Sequence, residues 1–306
     1  MTYFENVQQL IGQTPLVKIQ KNPFQEKVTI YAKLEYFNPG GSIKDRLGRM
    51  LVKDAIHQKK ISQNGTIIEP TAGNTGIGLA MAAIQTNIKV ICVVPEKFSQ
   101  EKQELMKALG ATVINTPSEL GMTGAIQKAK ELQLEIPDSF CPMQFENEAN
   151  PRAYYESLGP ELIRDLNGNV DIFVAGAGSG GTFAGCAKYL KEYYPSTKTV
   201  IVEPQGSILN GGNAGTHDTE GIGLEFIPPF LDESYFDAIY TIKDVDAFQR
   251  VKELAINEGM LVGSSSGAAY EAALQEAAKA EAGSNIVVIF PDSSERYFSK
   301  HIYDYK

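Results

Sequence analysis

Lys44 stands in the stretch LEYFNPGGSIKDRLG, residues 34–48, at what reads as the first turn of a helix. Ser42 fits an N-cap, and Asp45 three positions on completes a capping-box pattern. A cation so near the positive end of a helix dipole is disfavoured. The same field depresses an amine's pKa, so the position suits a lysine that must be neutral to act as nucleophile or base.

Three further stretches carry groups that could meet a ligand. GAGSGGT, Gly176 to Thr182, follows an apolar run and opens a helical pattern. Such a loop offers backbone N–H groups and a helix dipole to a phosphate. A dinucleotide is the competing ligand, with Glu203 at the end of the next strand in the place of a ribose-binding acid. TAGNTGIG, Thr71 to Gly78, offers hydroxyls and an amide besides backbone donors, which suits a carboxylate. There Asn74 either hydrogen-bonds a ring or hydroxyl, or caps its helix. LVGSSSGAAYEAA, Leu261 to Ala272, holds three serines at a helix start. One caps it, and a spare hydroxyl could bond a neutral heterocyclic nitrogen.

These loops need a scaffold, and 306 residues with 43% hydrophobic content allow two domains or one large α/β unit. A net charge of −9 argues against nucleic acid or an anionic membrane as the main partner. No signal segment and no bilayer-length apolar run is visible, so a cytoplasmic protein is expected. Cys92, Cys141 and Cys186 lie in apolar segments with unpatterned spacing and read as buried, reduced thiols. His57, His217 and His301 are scattered, so no metal site and no Ser/His/Asp hydrolase is expected.

Short β-branched runs alternate with helical patterns. Strands are expected at 28–35, 65–70, 89–95, 111–115, 171–176, 199–204 and 285–290. Helices are expected near 43–59, 75–86, 99–109, 121–133, 153–166, 180–193, 245–258 and 266–281. This βαβ alternation predicts an α/β fold of two doubly wound domains with mostly parallel central sheets. The break falls near NEANPRAYY, 147–155, giving a smaller domain at 45–150 and a larger one from 1–44 with 151–306. The long glycine-rich loop at 205–233 reads as functional.

Taken together, NPGGSIKDR, TAGNTGIG, GAGSGGT, EGIGLEFIP, GSSSGAA and FPDSSERY resemble, in order, the signature segments of the cysteine synthase and cystathionine β-synthase family. The likeness runs from IGQTPLVKI at 11–19 to the end of the chain. That family depends on pyridoxal 5'-phosphate (PLP) and has the tryptophan-synthase β fold (fold type II), with PLP in the interdomain cleft. The resemblance implies that Lys44 carries the cofactor and, once displaced by substrate, removes the Cα proton. Gly178, Ser179, Gly180, Gly181 and Thr182 would hold its phosphate. Asn74 would meet its 3′-oxygen, and Ser265, with Ser266 as the alternative, its ring nitrogen. Thr71, Gly73, Thr75 and Gln144 match positions that take the substrate carboxylate. A homodimer is implied in the same way.

Two positions depart from the usual cysteine synthase pattern. Ala72 stands where a serine is common, which frees space, and Glu225 adds a carboxylate after the EGIG stretch. Sulfide needs neither change, whereas homocysteine is longer and brings an α-ammonium. The expected reaction is therefore O-acetylserine with homocysteine giving cystathionine, a transferase step of transsulfuration towards cysteine. Cysteine synthesis from sulfide is the alternative. An NAD(P) oxidoreductase would leave Lys44, Asn74 and the serine loop without a role, and a scaffold that merely keeps the fold remains a third possibility.

Overall fold

The computed structural model describes residues 3–305 and divides into two compact units, one ending its first segment at Ile11 and continuing as Asn38–Asn150, the other Gly12–Phe37 with the chain from Pro151 onward. In chain order the elements are β1 (Leu16–Lys18), β2 (Thr29–Leu34), α1 (Lys44–His57), β3 (Thr66–Pro70), α2 (Asn74–Ala83), β4 (Lys89–Pro95) and α3 (Gln100–Ala108). Next come β5 (Thr112–Thr116), α4 (Gly121–Glu135), β6 (Ser139–Phe140), α5 (Ala149–Tyr155), α6 (Leu158–Asp165), β7 (Ile172–Gly176) and α7 (Gly181–Tyr193). The chain ends with β8 (Lys198–Pro204), β9 (Ala238–Ile242), α8 (Asp244–Glu258), α9 (Ser264–Lys279) and β10 (Asn285–Phe290).

The first unit holds a wholly parallel sheet in the order β5-β4-β3-β6. Ile68 and Val93 pack against Ala125, Ala129 and Leu132 of α4, and each buried branched side chain contributes about 1.5–3 kcal/mol. The order turns between β3 and β6, so the loops after these two strands lie side by side. Open α/β sheets bind ligands at such a reversal.

The second unit holds a sheet in the order β1-β2-β10-β7-β8-β9, parallel except for β1. Ala268, Ala269, Ala272, Ala273 and Ala277 give α9 a flat face, buried in one core with Val174, Val200 and Val288 of the sheet. Its order turns where β10 inserts between β2 and β7.

Differences from expectation are local. The helix expected at 153–166 is two, α5 and α6, because Ser157 leaves helical geometry (φ −125°, ψ −66°) and its hydroxyl bonds the Ala153 carbonyl at 2.6 Å. The strands β1, β6 and β9 were not expected; the first two are three and two residues long, too short for a periodicity to show. Residues 38–44 group with the smaller unit rather than with the larger. The Asn38–Gly41 turn closes on itself (Gly41 N–H to Asn38 O, 2.7 Å), and its Gly40 N–H is given to Asp45 of α1. The segment before Gly12 joins the same unit, since Gln8 Nε2 reaches the Met81, Ala82 and Ile84 carbonyls at 3.0, 3.2 and 2.9 Å.

Candidate active site

Lys44 is the first residue of α1, half-buried. The capping box is not formed as expected: Ile43 is the cap, and the Ser42 hydroxyl accepts the Lys44 N–H itself at 3.3 Å. Asp45 turns back to Gly40 instead, because the Pro-Gly-Gly turn folds that N–H against it. An acid in the first turn still complements the dipole.

A backbone contact sets where Lys44 lies relative to the TAGNTG loop. A Cβ on Gly48 would collide with the Gly78 carbonyl, and one on Gly78 with the Lys44 carbonyl. So α1 and α2 touch backbone to backbone, one turn in from each start, and Lys44 sits beside the opening turns of α2. There Gly73 is the cap, at φ +152° and with no side chain to give, and Asn74 is the first helical residue. The capping alternative for Asn74 is therefore not realised. Ala72 and Asn74 are half-buried, while Thr71 and Thr75 are buried on either side. Thr75 Oγ1 donates to Gln144 Oε1 at 2.7 Å across the sheet reversal. Thr71 Oγ1 accepts the Gly73 N–H at 3.0 Å, so Thr71 and Thr75 flank one loop and Gln144 meets that loop through Thr75.

In the second unit the strip Glu220–Gly223 links the other two loops. The Gly223 N–H bonds the Ala177 carbonyl at 2.8 Å, and a Cβ on Gly178 would strike the Gly221 carbonyl. At its other end the Glu220 N–H reaches Ser264 Oγ at 3.0 Å. Ser265 Oγ lies 3.8 Å from where a Gly221 Cβ would be, so its hydroxyl faces the strip. Ser266 is wholly buried and its hydroxyl meets no hydrogen-bond partner. The Gly180 cap of α7 is left-handed (φ +79°) and provides no capping side chain, so the first-turn N–H groups of Gly181 and Thr182 have no acceptor within the helix. A phosphate suits these donors. With an anion cradle at one end of a strip that carries Gly221 and Gly223 and a serine hydroxyl at the other, the residues fit PLP. Glu225 follows the strip and is exposed.

Glu203, the acid that a dinucleotide reading requires, is buried and committed elsewhere. It accepts from Leu209 N–H, Asn210 N–H and the Thr241 hydroxyl at 2.8, 3.1 and 2.8 Å. Two residues escaped the sequence reading. Lys102 of α3 is buried with its side chain laid over Gly73. Glu69, at the end of β3, is fully buried; the signal for it was a lone acid closing an apolar strand. The three cysteines are buried, and burial with the nearby Glu69 charge pushes the Cys92 thiol up to about 12. Among the described residues no cluster could hold a metal ion, and no helix is long and apolar enough to cross a membrane.

Parallel sheets, a glycine cradle after β7, a serine at the start of α9 and a lysine opening α1 are the parts of a fold-type II PLP enzyme. The chain matches the family described as pyridoxal-phosphate dependent enzyme over residues 7–292 and belongs to it. It is 59% identical over 304 residues, 99% of both chains, to the O-acetylserine dependent cystathionine beta-synthase of Bacillus subtilis. It is 56% identical over 299 residues to a cysteine synthase of Helicobacter pylori, covering 97% of this chain and 98% of that one. Among solved structures, the O-acetylserine dependent cystathionine beta-synthase from Helicobacter pylori superposes with a TM-score of 0.95 at 54% identity, covering 99% of this chain and 100% of that one.

Proposed function

We propose that this enzyme replaces the acetate of O-acetylserine with homocysteine, releasing cystathionine and acetate. The observation that carries the reading is full-length likeness, at 59% identity, to an enzyme of that name. Ala72 and Glu225 fit the longer acceptor.

Bound PLP would withdraw electrons from the substrate Cα, easing loss of its proton and of the β-acetate. Lys44 is the residue that would hold the cofactor, and its amine, once free, would take the Cα proton of the substrate. The Asn74 amide would meet the cofactor's 3′-oxygen, and Gly178, Ser179, Gly180, Gly181 and Thr182 would hold its phosphate. Ser265 would give the ring nitrogen a neutral hydrogen-bond partner, which suits loss of a good leaving group and disfavours transamination. Thr71, Gly73, Thr75 and Gln144 bind the substrate carboxylate at the N-terminus of α2, where the dipole favours an anion. Glu225 would pair with the homocysteine ammonium while the thiol, its proton lost to solvent, bonds the β-carbon that acetate has left, and Lys44 would return its proton to Cα.

Sulfide as acceptor is the second reading, favoured by the 56% identity to a cysteine synthase. We further assign the enzyme to the cytoplasm as a homodimer, which light scattering tests directly. For the main reading, borohydride reduction of the purified protein should bleach its colour and tag the Lys44 peptide by the mass of reduced PLP. Acetate release from O-acetylserine should far outpace turnover of serine. A tag on another lysine, or no tag, overturns the assignment of Lys44.

A further inference from the structure

Glu69 has no part in the chemistry above, yet it is buried to 0% exposure next to the loop that carries Gln144. Its two oxygens accept separate backbone bonds, Met143 N–H to Oε2 and Gln144 N–H to Oε1, both at 2.9 Å. Gln144 is held from two more sides: its carbonyl accepts from Asn150 Nδ2 at 2.7 Å, and its side-chain oxygen from Thr75 at 2.7 Å. Met143 lies in the left-handed region (φ +56°), which costs a non-glycine residue energy and persists only where neighbours enforce it. The sharp turn so enforced points the chain from β6 back toward β3.

We propose that Glu69 is a positioning residue for the donor carboxylate: by gripping both N–H groups of the Met143–Gln144 turn, it fixes the Gln144 amide beside Thr75. This rests on the reading of Thr75 and Gln144 as carboxylate ligands. A single-oxygen acceptor cannot replace it. In Glu69→Gln the amide keeps the size, but its NH2 group confronts one of the two N–H donors, so that bond is lost.

The test is steady-state kinetics of the Glu69→Gln holoenzyme against wild type, varying O-acetylserine and acceptor separately. The expected result is a fall of about tenfold or more in kcat/KM for O-acetylserine with acceptor kcat/KM within about twofold. Equal losses on both substrates, or loss of thermal stability with donor kcat/KM unchanged, would show a purely structural role and overturn the proposal. Wild type that neither changes its cofactor absorbance with O-acetylserine nor releases acetate would instead sink the proposed function. Should Glu69→Gln fail to fold, amide hydrogen exchange of the wild-type holoenzyme decides. Met143 and Gln144 amides exchanging as slowly as β3 support the grip, and rapid exchange contradicts it.

Discussion

An exposed carboxylate that meets an ammonium in water is worth about 0.2–1 kcal/mol. Glu225 is exposed, so Glu225→Gln should raise KM for homocysteine about 1.4- to fivefold and leave sulfide kinetics unchanged. Ala72→Ser adds a hydroxyl on the half-buried flank of the carboxylate loop, and homocysteine kcat/KM should fall while that of sulfide holds. Glu69 gives a pH signature. Burial pushes its carboxyl up to about 8 from an ordinary 4.5, against the opposing pull of the Met143 and Gln144 N–H groups. The Cys92 and Cys141 thiols feel its charge, and burial raises both. The folded protein therefore keeps a proton that the unfolded chain releases, and the protonated carboxyl still has a lone pair on each oxygen to accept the two N–H groups. The resulting stability is fully present below pH 4.5 and is lost as pH rises through about 8. Denaturant melts should show this decline in wild type, and Glu69→Gln should flatten it.

At the scale of elements, the crossing of α1 and α2 is the most demanding feature. Overpacking a tight site costs about 1–3 kcal/mol or more, and here the added methyl of Gly48→Ala or Gly78→Ala would meet backbone. Either variant should lose at least about 2 kcal/mol in urea unfolding, and Lys44 should lose its register with Asn74. The motif sequence pointed to these helices, yet not to their contact, because a glycine in a helical pattern looks the same whether it faces solvent or another backbone. The Ser42–Asp45 box misled for a related reason. Spacing showed that the two side chains share the helix start, but the folded Gly40 turn, nearer to Asp45, takes the bond. Apolar strands such as β4 and β10 were plain from their composition; β6, with two residues, was not legible and shows only in its pairing with β3.

At the scale of the molecule, each unit turns its strand order where its motif-bearing loops gather, after β3 and β6 in one and beside β7 and β10 in the other. The βαβ alternation made that architecture readable, and the six motifs carried the family likeness. Acceptor choice is harder to read, because the sequence offers only one missing hydroxyl and one exposed carboxylate to argue it from. Relatives at 59% and 56% identity accordingly carry different names. The direct test is a competition in one vessel: purified enzyme, O-acetylserine as donor, homocysteine and sulfide at equal concentration, products weighed by mass spectrometry. Cystathionine should dominate. A product that is mostly cysteine would contradict the account and leave Ala72 and Glu225 without a role in specificity.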